Sequence, residues 1–240
     1  MTRIDTKRLD VFLRLCALAA WRLKSFRVFS SWRLLELKSS GYLLEDNEPH
    51  RETEPPSLGR SLLIGGLGFG VVSLCVFATV AFAERWMYTH LGLAGAYVAW
   101  TALFILLGGG VLGSLVSGSW RLPKFYLLFS LAFFAYAAGW TVAYFALRGA
   151  AGEWVGSLVG SLLMGSVFAI GFGVARSALK LSALLFVANS VGYFLGSALN
   201  NSVGGKAGML LWGTAYGVFL GAGLGAILHL AQTRRTNDEH

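Results

Sequence analysis

Serine and histidine are the residues of this sequence with the clearest potential for chemistry in an apolar setting. Their positions argue against a catalytic role. Ser166 and His229 could act as a nucleophile and its base. Ser166 lies near the middle of one apolar segment and His229 near the end of another. At about 1.5 Å per helical residue, their depths differ by more than a hydrogen bond spans. We therefore predict that the chain is not an enzyme.

Metal and cofactor sites are not predicted either. His50 lies in a charged loop with no second His or Cys close to it in the sequence, which predicts a solvated loop and not a metal site. Cys16 and Cys75 form no recognisable pair. His90 and His229 are of the type that ligates a tetrapyrrole, but both lie at the ends of apolar segments, where capping or interfacial roles are expected.

Four polar residues within the apolar segments are the candidates for contact with a solute: Tyr136, Asn189, Tyr193 and Thr214. An amide in hydrocarbon must find a hydrogen-bonding partner, and Asn189 is the one amide well inside a segment. Two interpretations stay open. Asn189 ties two helices together, which is worth about 0.6–2 kcal/mol, or it lines a cavity for a neutral solute or part of a lipid.

The composition is that of an integral membrane protein. Hydrophobic residues make up 55% of the 240 residues, charged residues make up 13%, and the mean hydropathy is +0.62. Soluble domains carry about 25% charged residues. The charges lie mainly in the first 60 positions and at segment ends, which argues against a proton-coupled antiporter, a pump or a voltage sensor. The net charge of +8 fits an anionic membrane surface and not a nucleic acid.

Six apolar segments predict six transmembrane helices, so the fold class is an all-α polytopic membrane protein. The segments lie at about 61–83, 92–118, 124–147, 153–175, 181–200 and 207–230, within the domain 61–231. Because the loops between them are short, consecutive helices are expected to pair as three antiparallel hairpins.

Residues 1–40 are basic and amphipathic, which predicts short helices lying at the membrane surface. Soluble helices that cover the cytosolic ends of the bundle are the alternative. The residues expected to contact an anionic inner leaflet are Arg14, Trp21, Arg22, Lys24, Arg27, Trp32 and Arg33. Residues 41–60 are polar and rich in Pro, which indicates a linker, and residues 232–240 form a cytosolic tail.

Glycines recur every four residues in the last segment, at Gly213, Gly217, Gly221 and Gly225. Such a stripe lets a neighbouring backbone approach closely, which is how helices associate in lipid. Gly156 and Gly160 begin a similar stripe in the fourth segment. These six glycines are predicted to be helix-packing residues.

An internal repeat accompanies the stripes. A shift of 57 positions gives 11 identities over residues 127–170, and it places Gly156 on Gly213 and Gly160 on Gly217. Each unit holds two segments, so the copies would be parallel repeats related by an axis along the membrane normal. The repeat covers the third to sixth segments.

Lys and Arg are concentrated on one side of the segments, which predicts an inner-membrane protein with both termini in the cytoplasm. Two functions follow from the pattern. The first is a channel or transporter, or its membrane subunit, for a neutral or weakly polar solute or a lipid, without ion coupling. The second is a non-catalytic assembly subunit that packs against further copies or other membrane subunits through its glycine stripes.

Overall fold

A computed structural model describes residues 55–117 and 122–238, with side chains described up to residue 235. Of these residues 93% are helical, and none lies in a strand. The predicted interfacial helices and their membrane-surface residues, from Arg14 to Arg33, lie outside the described residues. Five helical stretches are long and apolar enough to cross a membrane.

The helices follow one another with short connections. Ser57 caps the first of them, because its hydroxyl accepts a hydrogen bond from the Arg60 amide at 3.4 Å. The elements are α1 (Leu58–Leu63), a π-helical turn (Ile64–Gly68), α2 (Phe69–Gly113), α3 (Leu122–Leu147), α4 (Gly149–Gly171), a 3-10 turn (Ala175–Ser177), α5 (Ala178–Val203) and α6 (Gly205–Asp238).

The chain turns back on itself inside α2, at Gly92. This glycine has φ +67° and ψ 178°, which is not helical and which favours a residue without a Cβ. The rings of Phe69 and Phe104 stack with their centroids 5.8 Å apart. In a straight helix these residues would lie about 52 Å apart. The first and second predicted segments are therefore two halves of one helical stretch.

The later helices pack in antiparallel pairs. In the pair α3–α4, Gly160 lies against Tyr136 and Gly152 lies against Tyr144. In the pair α5–α6, Gly192 lies against Tyr216 and Gly208 against Asn200. The bundle thus has a turn end, which holds Gly92, Arg148 and Gly204, and a terminal end, where α1 begins and α6 ends.

Helix α6 is the most buried of the five candidate spans, with half of its apolar window inside the bundle. Its four-residue glycine stripe runs antiparallel along α1 and the first half of α2. A Cβ at Gly213 would meet Phe77, one at Gly217 would meet Ser73, one at Gly221 would meet the Gly65 carbonyl, and one at Gly225 would meet the Ser61 carbonyl. A Cβ at Gly221 would also meet the Phe69 Cβ, so the partner positions are likewise four residues apart and the two helices interdigitate along three to four turns.

Phenylalanine fills the interior of the terminal half. Phe69 meets Phe129 edge to face at 6.5 Å, and Phe104 stacks on Phe133 at 5.6 Å. Phe69, Phe125 and Phe129 have no exposed surface. Such ring pairs add about 0.5–1.5 kcal/mol beyond the burial of their area. This half of the bundle is a closed apolar core.

The last turns of α6 contact the ends of other helices at the terminal end of the bundle. The Gln232 amide donates to the Leu115 carbonyl at 3.0 Å, and its oxygen accepts from the Ser117 amide at 2.7 Å. Arg234 donates to the Ser177 hydroxyl at 2.6 Å. The His229 Nδ1–H donates to the Pro56 carbonyl at 2.8 Å, because a carbonyl can only accept. These contacts satisfy backbone groups where the helices begin and end.

Candidate functional site

Four helices meet at a buried network of hydroxyl and amide groups, which we call the polar layer: Tyr136 of α3, Ser157 of α4, Asn189 of α5 and Tyr216 of α6. The Tyr136 hydroxyl donates to Asn189 Oδ1 at 2.7 Å, and Asn189 Nδ2 donates to the Ser157 hydroxyl at 2.7 Å. The Tyr216 hydroxyl donates to the Tyr136 hydroxyl at 3.2 Å. Ser190 extends the network, with its hydroxyl 2.8 Å from that of Ser157.

Most of the polar layer is enclosed by protein, and Tyr216 is partly exposed. Asn189 and Ser157 have no exposed surface, and Tyr136 is 8% exposed. A buried amide without partners would cost several kcal/mol, and here both its oxygen and its nitrogen are hydrogen-bonded. Because Gly160 lies beneath the Tyr136 ring, α4 approaches α3 closely enough for Ser157 to reach the network. Asn189 of α5 therefore links α3 and α4 directly, and Tyr136 extends the network to α6.

A second set of side chains lies one helical turn nearer the turn end on the same four helices, and we call it the aromatic layer: Trp140, Glu153, Tyr193 and Trp212. Each is four positions from its counterpart in the polar layer, so each projects from the same face of its helix. The ring centroids of Trp140 and Tyr193 are 6.0 Å apart, and those of Tyr193 and Trp212 are 5.7 Å apart. All four side chains are partly exposed.

Glycine makes room for the two tryptophans. Trp140 lies over Gly156 of α4, where a Cβ would come within 3.1 Å of the indole. Trp212 lies over Gly196 of α5, where a Cβ would overlap the indole. The indoles therefore lie close to the neighbouring helix backbones. Phe77 of α2 closes one side, with its ring 6.0 Å from that of Trp212.

The carboxylate of Glu153 belongs to the aromatic layer. It lies near the Tyr193 hydroxyl, close enough for its charge to act on that group. Its neighbour Trp154 stacks on Phe194 at 4.2 Å, and α5 continues nine residues further, to Val203. Glu153 thus lies about 13 Å inside the end of α5, although the sequence places it at the very start of an apolar segment.

The structure brings together three of the four candidates for solute contact. Asn189 and Tyr136 are hydrogen-bonded in the polar layer, and Tyr193 lies in the aromatic layer. Thr214 stands apart from both, because its hydroxyl donates to the Leu210 carbonyl of its own helix at 2.9 Å.

The six candidate packing glycines lie at helix contacts inside the chain. Gly156 and Gly160 face α3, whereas Gly213, Gly217, Gly221 and Gly225 face α1, the π-helical turn and α2. Glycines at equivalent positions of the sequence repeat therefore meet different neighbours.

Sequence reasoning did not single out Ser157, Glu153 or Trp212. A signal for Glu153 was available: it precedes Ser157 by four residues, and Ser157 lies in an otherwise small and apolar stripe. Two points of helix geometry show that Glu153 faces the neighbouring helices. It shares a helix face with Ser157, and α5 continues well beyond it. Among the described residues no group of three His, Cys, Asp or Glu side chains could hold a metal ion.

No protein-family model, curated protein or solved structure matches this chain.

Proposed function

We propose that the chain is a channel or transporter, or the membrane subunit of one, for a neutral or weakly polar solute or a lipid, without ion coupling. The observation that carries this proposal is the pair of layers on α3 to α6. Their polar and aromatic groups converge from four helices on one region, and the aromatic layer is partly exposed. Convergent polar groups in an otherwise apolar setting are the usual form of a small-molecule site.

The proposal includes six transmembrane helices in three hairpins. The break at Gly92 supports two spans within the first helical stretch, since 34 residues from Leu58 to Leu91 already exceed the roughly 20 residues that cross a bilayer. In this arrangement the termini are cytoplasmic, in the inner membrane, and the turn end faces outward. Arg176 and Lys180 lie at the terminal end of α5, where an anionic inner leaflet is expected.

The proposal keeps the parallel repeat of the third to sixth segments, whose two copies would be related by an axis along the membrane normal. In the first pair tyrosine and tryptophan of the leading helix lie over glycines of the second helix, as in Tyr136 over Gly160. In the second pair the arrangement is reversed, as in Trp212 over Gly196. Both pairs thus place tyrosine and tryptophan over glycine. The aromatic residues lie on the first helix of one pair and on the second helix of the other.

Osmotic swelling of proteoliposomes tests the transport proposal. We expect glycerol or urea to enter vesicles containing the protein faster than empty vesicles, as measured by stopped-flow light scattering. Asn189→Leu removes the coupling group of the polar layer and should change the rate at least about tenfold, whereas Thr214→Val should leave it unchanged. Equal rates in empty and protein-containing vesicles, for a panel of neutral solutes, would contradict transport of such solutes.

An assembly subunit is the second candidate, and the surface near Gly92 favours it. Trp86, Leu93, Tyr97 and Val98 are 51–68% exposed there. Helix α2 reaches beyond the start of α6, because Lys206 lies 4.6 Å over the Phe82 ring and nine further residues precede the turn at Gly92. The glycine stripes of α4 and α6 are occupied within the chain, so a partner would dock on this exposed surface instead.

Purification in mild detergent separates the two candidates. An assembly subunit should co-purify with further copies or with other membrane subunits in a fixed ratio by native mass spectrometry. Trp86→Ser with Val98→Ser should release them, while Leu179→Ser, at an exposed position near the other end of the bundle, should not. A single protomer carrying only lipid would argue against this candidate.

A further inference from the structure

The aromatic layer combines a recessed carboxylate with the rings of Trp140, Tyr193 and Trp212. Glu153 lies near the hydroxyl of Tyr193, which is neutral and does not compensate the carboxylate charge. An ionised carboxylate beside aromatic rings, about 13 Å short of the end of α5, is stabilised when a cation accompanies it. The rings beside it present faces of negative potential, which attract a cation.

We propose that the aromatic layer binds an ammonium group, with Glu153 as its counter-ion and the three rings as its walls. The Tyr193 ring contacts the rings of both tryptophans, with centroids 5.7–6.0 Å apart. The ammonium group would therefore rest on the partly exposed side of the three rings. Aromatic faces within about 6 Å of a cation centre are the usual recognition element for alkylated ammonium groups. A bare metal ion fits less well, because one carboxylate and one phenol hydroxyl are too few oxygen ligands to replace its water.

This inference rests on the proposed function, since it assigns a ligand class to the same site. An ammonium group is compatible with a net-neutral ligand when the molecule is a zwitterion. It can come from two sources: the head group of a zwitterionic lipid, or a soluble compound such as a betaine.

Binding of choline and of its carbon isostere 3,3-dimethylbutan-1-ol to the full chain in detergent tests the inference. The two probes share shape and hydroxyl group and differ in charge. We expect choline to bind at least about tenfold more tightly than the isostere, as measured by calorimetry. Glu153→Gln should abolish that preference, and Glu84→Gln, a carboxylate on α2 outside the layers, should keep it.

Lipid retention distinguishes the two sources. After exchange into nanodiscs that contain phosphatidylcholine and phosphatidylglycerol in equal amounts, native mass spectrometry counts the lipids that remain bound to the released protein. Enrichment of phosphatidylcholine that Glu153→Gln removes assigns the site to a lipid head group. Choline binding without such enrichment assigns it to a soluble ligand.

The inference is overturned if neither choline binding nor lipid enrichment depends on Glu153. Because Glu153→Gln conserves shape, an unchanged elution profile and melting temperature will show that the variant is folded. Tyr193→Phe keeps the ring and should retain choline binding within about threefold, whereas Tyr193→Leu should lose it. Vesicle swelling is measured separately, so solute flux, together with choline binding and lipid enrichment that do not depend on Glu153, would refute this inference and leave the transport proposal standing.

Discussion

A single methyl group on the glycine stripe should be enough to separate α6 from α1 and α2. In Gly221→Ala the new Cβ would overlap the Gly65 carbonyl oxygen and the Phe69 Cβ. The Gly65 oxygen belongs to a backbone and cannot rotate away as a flexible side chain would. The helices must therefore move apart, and the contacts at Gly217 and Gly225 lengthen with them.

The magnitude follows from two opposing terms. Alanine in place of glycine inside a helix stabilises by about 0.5–1 kcal/mol through backbone entropy. Overpacking of a well-packed interior costs about 1–3 kcal/mol, and a gap of 0.5–1 Å along the stripe forfeits a quarter to a half of each dispersion contact. We expect a net loss of about 1–2 kcal/mol.

Gly59→Ala is the matched control, because a Cβ at Gly59 meets nothing within 4 Å and the position is helical and exposed. Thermal unfolding in detergent, followed by circular dichroism, should show a lower midpoint for Gly221→Ala and an equal or higher midpoint for Gly59→Ala. Each kcal/mol corresponds to roughly 2–4 °C for a chain of this size. A midpoint that rises in both variants would refute close packing at the stripe.

Three further predictions follow. In a Cys-free chain, a cysteine at Gly149 should react with an impermeant reagent from outside the cell and one at Thr236 should not; the reverse pattern would contradict the cytoplasmic termini. A peptide of residues 7–38 should become helical on anionic vesicles and less so at high salt, as seen by circular dichroism; a peptide that stays unstructured would favour soluble helices. Asn189→Leu should lower the free energy of unfolding by about 1–2 kcal/mol, because it leaves buried hydroxyl groups unpaired. Thr214→Val loses only a hydrogen bond within its own helix and should cost under about 0.5 kcal/mol. Equal losses in thermal unfolding would contradict the role of Asn189.

The apolar segments of the sequence are sufficient to predict long helices, because length and hydropathy report directly on a bilayer. They do not reveal which face of each helix meets which neighbour. The α6 stripe predicts a close contact, but the matching stripe consists of serine, glycine and phenylalanine: Ser61, Gly65, Phe69, Ser73 and Phe77. No small-residue pattern identifies such a partner, since side chains of three sizes alternate along it.

The two layers could not be found from the sequence for a related reason. Tyr136, Ser157, Asn189 and Tyr216 are separated by 21–32 positions from one helix to the next, and their meeting depends on the register of three helix contacts. Asn189 was the one member with a strong signal of its own, because an amide in an apolar segment needs partners. Its partners were hydroxyl groups of common types, which a sequence offers at many positions.

The two halves of the bundle contain different aromatic residues. This difference allows ligand binding to be distinguished from transport. Phenylalanine has no polar group, so Phe69 and Phe129 can be fully buried in the terminal half and close it. Tyrosine and tryptophan carry a hydroxyl or an indole N–H that needs a partner, which suits the partly exposed aromatic layer. A ligand can reach Glu153 without moving the phenylalanines, whereas a solute that crosses the bundle must displace them. Ammonium binding with no vesicle swelling would therefore point to a protein that binds its ligand at the turn end and does not conduct it.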